Sequence, residues 1–153
     1  MSEKINDGHL EAWRLFITAH TEVITRIDEQ LASADQIPLH WYDVLIELYE
    51  APERKLRMHE LAQKVVLSRS GLTRLVDRLE KANLLHREID SDDRRGFYAV
   101  LTEAGVGAMR AAWPVYSGGI TAYFARHVSE EEAALLAGIF TRMIDSARKS
   151  AQD

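Results

Sequence analysis

The chain has 153 residues, no cysteine and 46% hydrophobic side chains, which suits one compact domain or two small lobes sharing a core. No run of about eighteen apolar residues occurs, so no membrane-spanning helix is expected, and the lack of cysteine excludes disulfides, thiolate metal sites and thiol redox sensing. The net charge of -5 is unevenly spread: residues 53–96 hold eleven basic against eight acidic side chains, a balance of +3, and the remainder holds eight against sixteen, a balance of -8. A local basic field, rather than total charge, governs attraction to phosphate.

The N-terminus, through Trp13, has no apolar h-region behind Lys4, so no secretory signal is expected and the cytoplasm is the predicted location. Leu10, Trp13, Ile17, His20, Ile24, Ile27 and Leu31 follow one another at intervals of 3 and 4, a heptad-like seam on a long first helix. Phe16, Ala19 and Val23 widen that apolar face. A face this broad suggests a partner helix, with burial inside one subunit as the alternative reading.

Periodicity stops around Ser33, and Pro38 suits the first turn of a second helix whose apolar face is Trp41, Val44, Leu45 and Leu48. Ala51-Pro52 ends it, because the residue before a proline is pushed out of the helical region. A one-residue edge strand at Leu56 and a short helix from Met58 to Val65 are expected next. Val66-Leu67 then makes a turn, and Ser68 is suited to cap the following helix. That helix turns Leu72, Leu75, Val76 and Leu79 inward and leaves Arg69, Ser70, Thr73, Arg74 and Arg78 outside.

After Asn83, Leu84 to Ile89 reads as a strand, Asp90 to Asp93 as a turn region and Phe97 to Leu101 as the return strand. Thr102 caps a long helix with Val106, Met109, Trp113, Tyr116, Ile120 and Tyr123 at seam spacing; Pro114 inside it predicts a kink or a local split. Ser129 with Glu132 forms a capping box for a last helix whose apolar face includes Leu135, Leu136, Ile139, Phe140, Met143 and Ile144. The expected fold is mostly α with a small β-hairpin wing: a winged helix-turn-helix lobe over residues 38–102, and a helical dimerisation lobe from residues 1–35 and 103–153.

A helix that enters the major groove of DNA needs small polar residues at its front end, where bulk would hold the backbone off the base edges. Ser68, Ser70 and Gly71 meet that need, with Thr73 and Arg74 about one turn deeper. Arg74 is the first candidate for a base contact, since a guanidinium bridges guanine O6 and N7. Ser68, Ser70 and Thr73 suit phosphates, and Arg69 suits either role. The tip Asp93-Arg94-Arg95 places two guanidinium groups on a short ribbon, where one can enter a narrow minor groove and Asp93 can hold it extended. A capped surface helix with a solvated hairpin is the plainer reading of each part alone; helix and hairpin in this order favour DNA.

The stretch resembles the MarR family of bacterial transcriptional regulators. Leu61-Ala62, residues 67–70, the run from Leu72 to Glu80, and Asp93-Arg94-Arg95 followed by Val100-Leu101-Thr102 and Gly105 carry the resemblance. Gly71 and Asn83 depart from it, standing where another small residue and a glycine are usual. The resemblance implies a homodimer with interlocked terminal helices on a pseudo-palindromic double-stranded DNA operator. It implies repression relieved by a small aromatic or anionic effector. Trp13, His20, Trp41, Tyr42 and Trp113 are candidate effector contacts by location, although aromatics at helical spacing also serve simply as core.

No cofactor or metal is expected, because the six histidines form no ligand-spaced cluster. Catalysis is not expected either, since neither a G-x-S-x-G elbow nor a phosphate loop occurs. The alternative function is a winged helix used as a protein-interaction module, which calls for apolar anchors on the outer helix face.

Overall fold

The computed structural model describes residues 4–65, 69–93 and 96–151, with Arg69 described by its backbone alone. Six α-helices and a three-stranded antiparallel sheet make up the described chain. It falls into two compact units, residues 1–117 and 118–153.

In the first unit, α1 (Asp7–Ser33) starts where the Asn6 side chain accepts from His9 N–H at 2.8 Å, with Asp7 complementing the positive end of the helix. Only Ile27 and Leu31 at its C-terminal end are buried. The rest of the seam lies open: Trp13 is 55% exposed, Ile17 44%, and His20 also faces solvent. The 3-and-4 spacing thus marks a real stripe, but one chain covers only its last turns.

Helix α2 (Leu39–Glu50) buries Leu39, Tyr42, Val44, Leu45 and Leu48 and packs against α1. Pro38 is the N-cap rather than a first-turn residue, and its ring offers no side-chain acceptor. Asp28 of α1 supplies one instead, its Oδ1 accepting from Leu39 N–H at 2.8 Å. Trp41 is half-buried, so Tyr42 takes the inward place expected for it. Ala51 adopts an extended conformation before Pro52 and closes the helix.

A 3-10 turn (Pro52–Arg54) leads into β1 (Lys55–Arg57), which is three residues long, not one. It pairs with β3 (Phe97–Leu101), setting Leu56 opposite Ala99. Strand β2 (Leu85–Ile89) pairs with the other edge of β3, so the sheet order is β1-β3-β2. Helix α3 (Met58–Lys64) follows β1 with Leu61 fully buried. The expected turn at Val66-Leu67 and the Ser68 cap lie outside the described residues.

Helix α4 (Arg69–Lys81) buries Leu72, Leu75, Val76 and Leu79, the face that its spacing predicts. Truncating one such leucine to alanine typically costs about 2–5 kcal/mol. The helix ends in a Schellman turn. Asn83 sits at φ 60°, Leu84 N–H reaches Leu79 O at 3.0 Å, and Asn83 N–H reaches Glu80 O at 2.9 Å.

Helix α5 (Glu103–Tyr123) begins against that turn. Thr102 Oγ1 accepts from Gly105 N–H at 3.0 Å and donates to Asn83 O at 2.6 Å. A Cβ on Gly105 would lie 2.2 Å from Leu84 O, so only glycine permits this approach. Pro114 deprives Arg110 O of its usual amide donor, yet α5 is not split and runs on to Tyr123.

The second unit holds the end of α5, a 3-10 turn (Ala125–His127) and α6 (Glu130–Ser150). Ser129 Oγ accepts from Glu132 N–H at 3.2 Å while the Glu132 carboxylate accepts from Ser129 N–H at 2.8 Å, completing the expected capping box. No described residue of α6 is buried. Leu135 is 67% exposed, and Ile139, Met143 and Ile144 are exposed beside it.

Candidate nucleic-acid interface

One side of α4 is anchored in the core, which fixes what the other side shows. Ser70, Thr73, Arg74, Asp77 and Arg78 are exposed, and Gly71 is half-buried. Arg74 Nε donates to Ser70 O at 3.3 Å, so its guanidinium lies back along the helix toward the N-terminal turn. The Ser68 and Arg69 side chains lie outside the described residues. Among the described residues the outer face is therefore polar and carries no large apolar anchor.

The wing is the β2–β3 ribbon, which ends in the pair Ile89–Phe97. Both side chains are exposed, 63% and 43%. Beyond the pair, Asp90 N–H reaches Gly96 O at 3.1 Å and Gly96 N–H reaches Asp93 O at 2.9 Å, closing the loop. Arg94 and Arg95, the expected minor-groove residues, lie outside the described residues, so the part expected of Asp93 in holding them does too.

Three charged contacts that the sequence reading did not single out hold this arrangement. Arg87 on β2 reaches back to α4, with Nη1 2.9 Å from Glu80 Oε1 and Nη2 2.5 Å from Asp77 Oδ1. Its backbone N–H also donates to Glu80 Oε2 at 2.7 Å. Burial pulls the Arg87 pKa down, but the hydrogen bonds to Asp77 and Glu80 outweigh it and leave the net shift upward.

Arg57 on β1 meets Asp90 at the base of the wing loop. Its Nε donates to Tyr98 Oη at 3.2 Å, and that bond, followed by the Asp90 charge, raises its pKa. Lys55 lies over the other end of the same edge, its Nζ 4.9 Å from the Tyr98 ring centroid. An isolated Asp in a turn-like run carries no sequence signal of burial. The only hint was an arginine on the strand with an alternating neighbour pattern.

The five expected effector contacts do not gather in one place. Tyr42 and Trp113 do meet, with ring centroids 6.5 Å apart, and Tyr116 stands edge-on to both at 5.0 and 5.8 Å. Burial first, then the Asp43 charge, raises the pKa of both tyrosines. Trp13 instead lies 6.0 Å from Phe16 on α1. His20 is exposed and Trp41 half-buried. Among the described residues no cluster of metal-ligating side chains occurs.

Comparison with known proteins agrees with this geometry. Residues 35–96, which run from just before α2 through α3, α4 and β2 as far as the wing loop, match the family model described as MarR family. Over these residues the chain is similar to the MarR family. It is 29% identical over 102 residues to the HTH-type transcriptional regulator MhqR of Bacillus subtilis, covering 67% of this chain and 68% of that protein. Sco3205, a MarR family transcriptional regulator from Streptomyces coelicolor solved in complex with DNA, superposes with a TM-score of 0.88. It is 29% identical and covers 95% of this chain and 91% of its own. AbsC, a MarR family regulator of the same organism, gives 0.87 at 27% identity over 97% and 99%. The matched proteins are transcriptional regulators, and no described helix is long and apolar enough to cross a membrane.

Proposed function

We propose that the protein is a sequence-specific regulator that binds a pseudo-palindromic double-stranded DNA operator as a homodimer in the cytoplasm, and represses until a small aromatic or anionic effector binds. The exposed face of α4 carries this reading, because Ser70, Thr73, Arg74 and Arg78 are presented by a helix whose opposite face is locked in the core. Ser68, Arg69, Ser70, Thr73, Arg74 and Arg78 serve the major groove. Arg94 or Arg95 serves the minor groove, with Asp93 in support. The same polar face argues against a protein-docking module, which would need apolar anchors.

The second copy is favoured by two uncovered apolar stripes, each described within its own unit. Trp13, Leu15, Ile17 and Ile24 are exposed on α1, and Leu135, Ile139, Met143 and Ile144 on α6. A 21-residue helix with no buried residue gains little from its own chain, since helices in proteins owe most of their stability to a packed face. Residues 1–35 and 103–153 are thus assigned to dimerisation and 38–102 to DNA binding. The Tyr42–Trp113–Tyr116 cluster is the favoured place for an aromatic effector.

Duplex binding measured across a salt series tests the reading. Affinity for the operator should fall steeply as salt rises, because phosphate contacts release counterions, and Arg74→Ala should cost about 1–3 kcal/mol and relax one base position. Equal affinity for unrelated duplexes at physiological salt, or a flat salt response, would sink it. Sedimentation should give a dimer at micromolar concentration, and a monomer there would refute the second copy.

A further inference from the structure

Arg87 is placed to do more than stabilise a hairpin. It stands two residues before the last pair of the wing ribbon, opposite Ala99, and spans the gap to α4 with both ends of its guanidinium. Asp77 and Glu80 are three residues apart on α4, so they lie on one face, and each receives a different nitrogen. The Glu80 carboxylate also takes the Arg87 backbone N–H, which fixes the strand itself as well as the side chain. Three bonds that differ in direction leave β2 little freedom to slide or swing against α4.

Asp77 matters for a second reason. It lies one turn beyond Thr73 on the exposed face and its side chain is 52% exposed, so alone it would repel a phosphate backbone laid along that face. The Arg87 side chain, 23% exposed, neutralises it from the protein side.

We propose that Arg87 is a positioning residue for DNA recognition: by clasping Asp77 and Glu80 it sets the angle between the reading helix and the wing, so that major- and minor-groove contacts are made together. This rests on the DNA-binding reading above. Lysine separates geometry from charge, since it keeps the positive charge but cannot bridge two carboxylates with a planar fork.

Two measurements on the full-length chain test it. In the first, operator affinity of Arg87→Lys and Arg87→Gln should each fall about tenfold or more. At saturating protein, major-groove protection should persist while minor-groove protection at the wing is lost. Wild-type affinity in Arg87→Lys, or equal loss of both protections, overturns the proposal.

The second measurement needs no DNA. The natural chain has no cysteine, so spin labels at Lys81→Cys and Ser91→Cys, diluted with unlabelled protein, report the helix-to-wing distance. A narrow distribution in the wild-type background should broaden in both Arg87 variants, and an unchanged one overturns the clasp. If the wild type shows no sequence preference, the functional reading fails while the label distances still decide the clasp. Should the Arg87 variants melt below the working temperature, Asp77→Ala removes a single arm and should broaden the same distribution; no broadening there counts equally against the proposal.

Discussion

Arg57 Nη2 lies 2.5 Å from Asp90 Oδ2, which joins the first strand of the sheet to the base of the wing loop. Asp90 is only 3% exposed. Its Oδ1 accepts from Asp92 N–H at 2.9 Å, while Oδ2 has the charge of Arg57 beside it but no aligned hydrogen-bond donor. The pair therefore works mainly by neutralising a buried carboxylate.

Asp90→Ala removes both the loop-turn bond and the ion partner, and should lower unfolding free energy by about 1–3 kcal/mol in urea melts. Arg57→Met should also destabilise, because it leaves the carboxylate buried with its charge uncompensated. Restoring stability by combining Arg57→Met with Asp90→Asn would show that charge, not shape, is what couples them. Additive losses would refute that.

Gly105→Ala sets a methyl against the backbone of Leu84, with 2.2 Å to its carbonyl oxygen and 3.1 Å to its carbonyl carbon. Neither atom is a flexible side-chain end. The cost should be about 3 kcal/mol in chemical denaturation, at the upper end for overpacking. A loss under half of that would mean that α5 can pull away from the α4 turn freely.

Asn83 holds a left-handed conformation at φ 60°. Asn83→Ala should cost about 1 kcal/mol, since alanine pays the full Cβ penalty there. Asn83→Gly should be neutral or slightly stabilising, because glycine enters this region without that penalty. Thermal melts of the two variants should therefore separate in that order, and the reverse order would contradict the Schellman assignment.

Asp43 is exposed, yet its pKa is raised, chiefly through partial desolvation, with Asp28 and Glu47 adding to it and His40 opposing; solvent screening keeps the effect small. A raised folded-state value means the folded chain holds that proton more tightly than the unfolded one. Its favourable contribution is complete below the unfolded value, near about 3.9, and is lost as pH rises through the folded value. At pH 7 the ionised carboxylate is thus a liability. Asp43→Asn should therefore raise Tm at pH 7 slightly, by less than about 2 °C, and the gain should vanish below about pH 4. A gain that persisted at low pH would assign the effect to packing.

The helices were legible because their signals are local. The 3-and-4 spacing of Leu72, Leu75, Val76 and Leu79 lies within one element, as does the capping box of Ser129 and Glu132. What escaped was set by partners distant in sequence. Arg87 is ten residues from Asp77, and Arg57 is thirty-three from Asp90, so neither pairing leaves a periodic trace. The α2 cap is similar: Pro38 has no acceptor, and the one that serves comes from Asp28. The length of β1 also depended on β3, since a three-residue strand has no pattern of its own. The α1 stripe was readable as apolar, but its exposure was not, because periodicity does not say whether the covering helix belongs to the same chain.

The strand order β1-β3-β2 also bears on how the domain assembles. Strands β2 and β3 meet through their own short loop, so the β2–β3 ribbon closes at small entropic cost. Strand β1 meets β3 only across the intervening helices, with Lys55 opposite Val100, and must wait until those helices are arranged. The β2–β3 ribbon can therefore form early, while its tether through Arg57 arrives late. In native-state hydrogen exchange, the amides shared by β1 and β3 should open before those shared by β2 and β3.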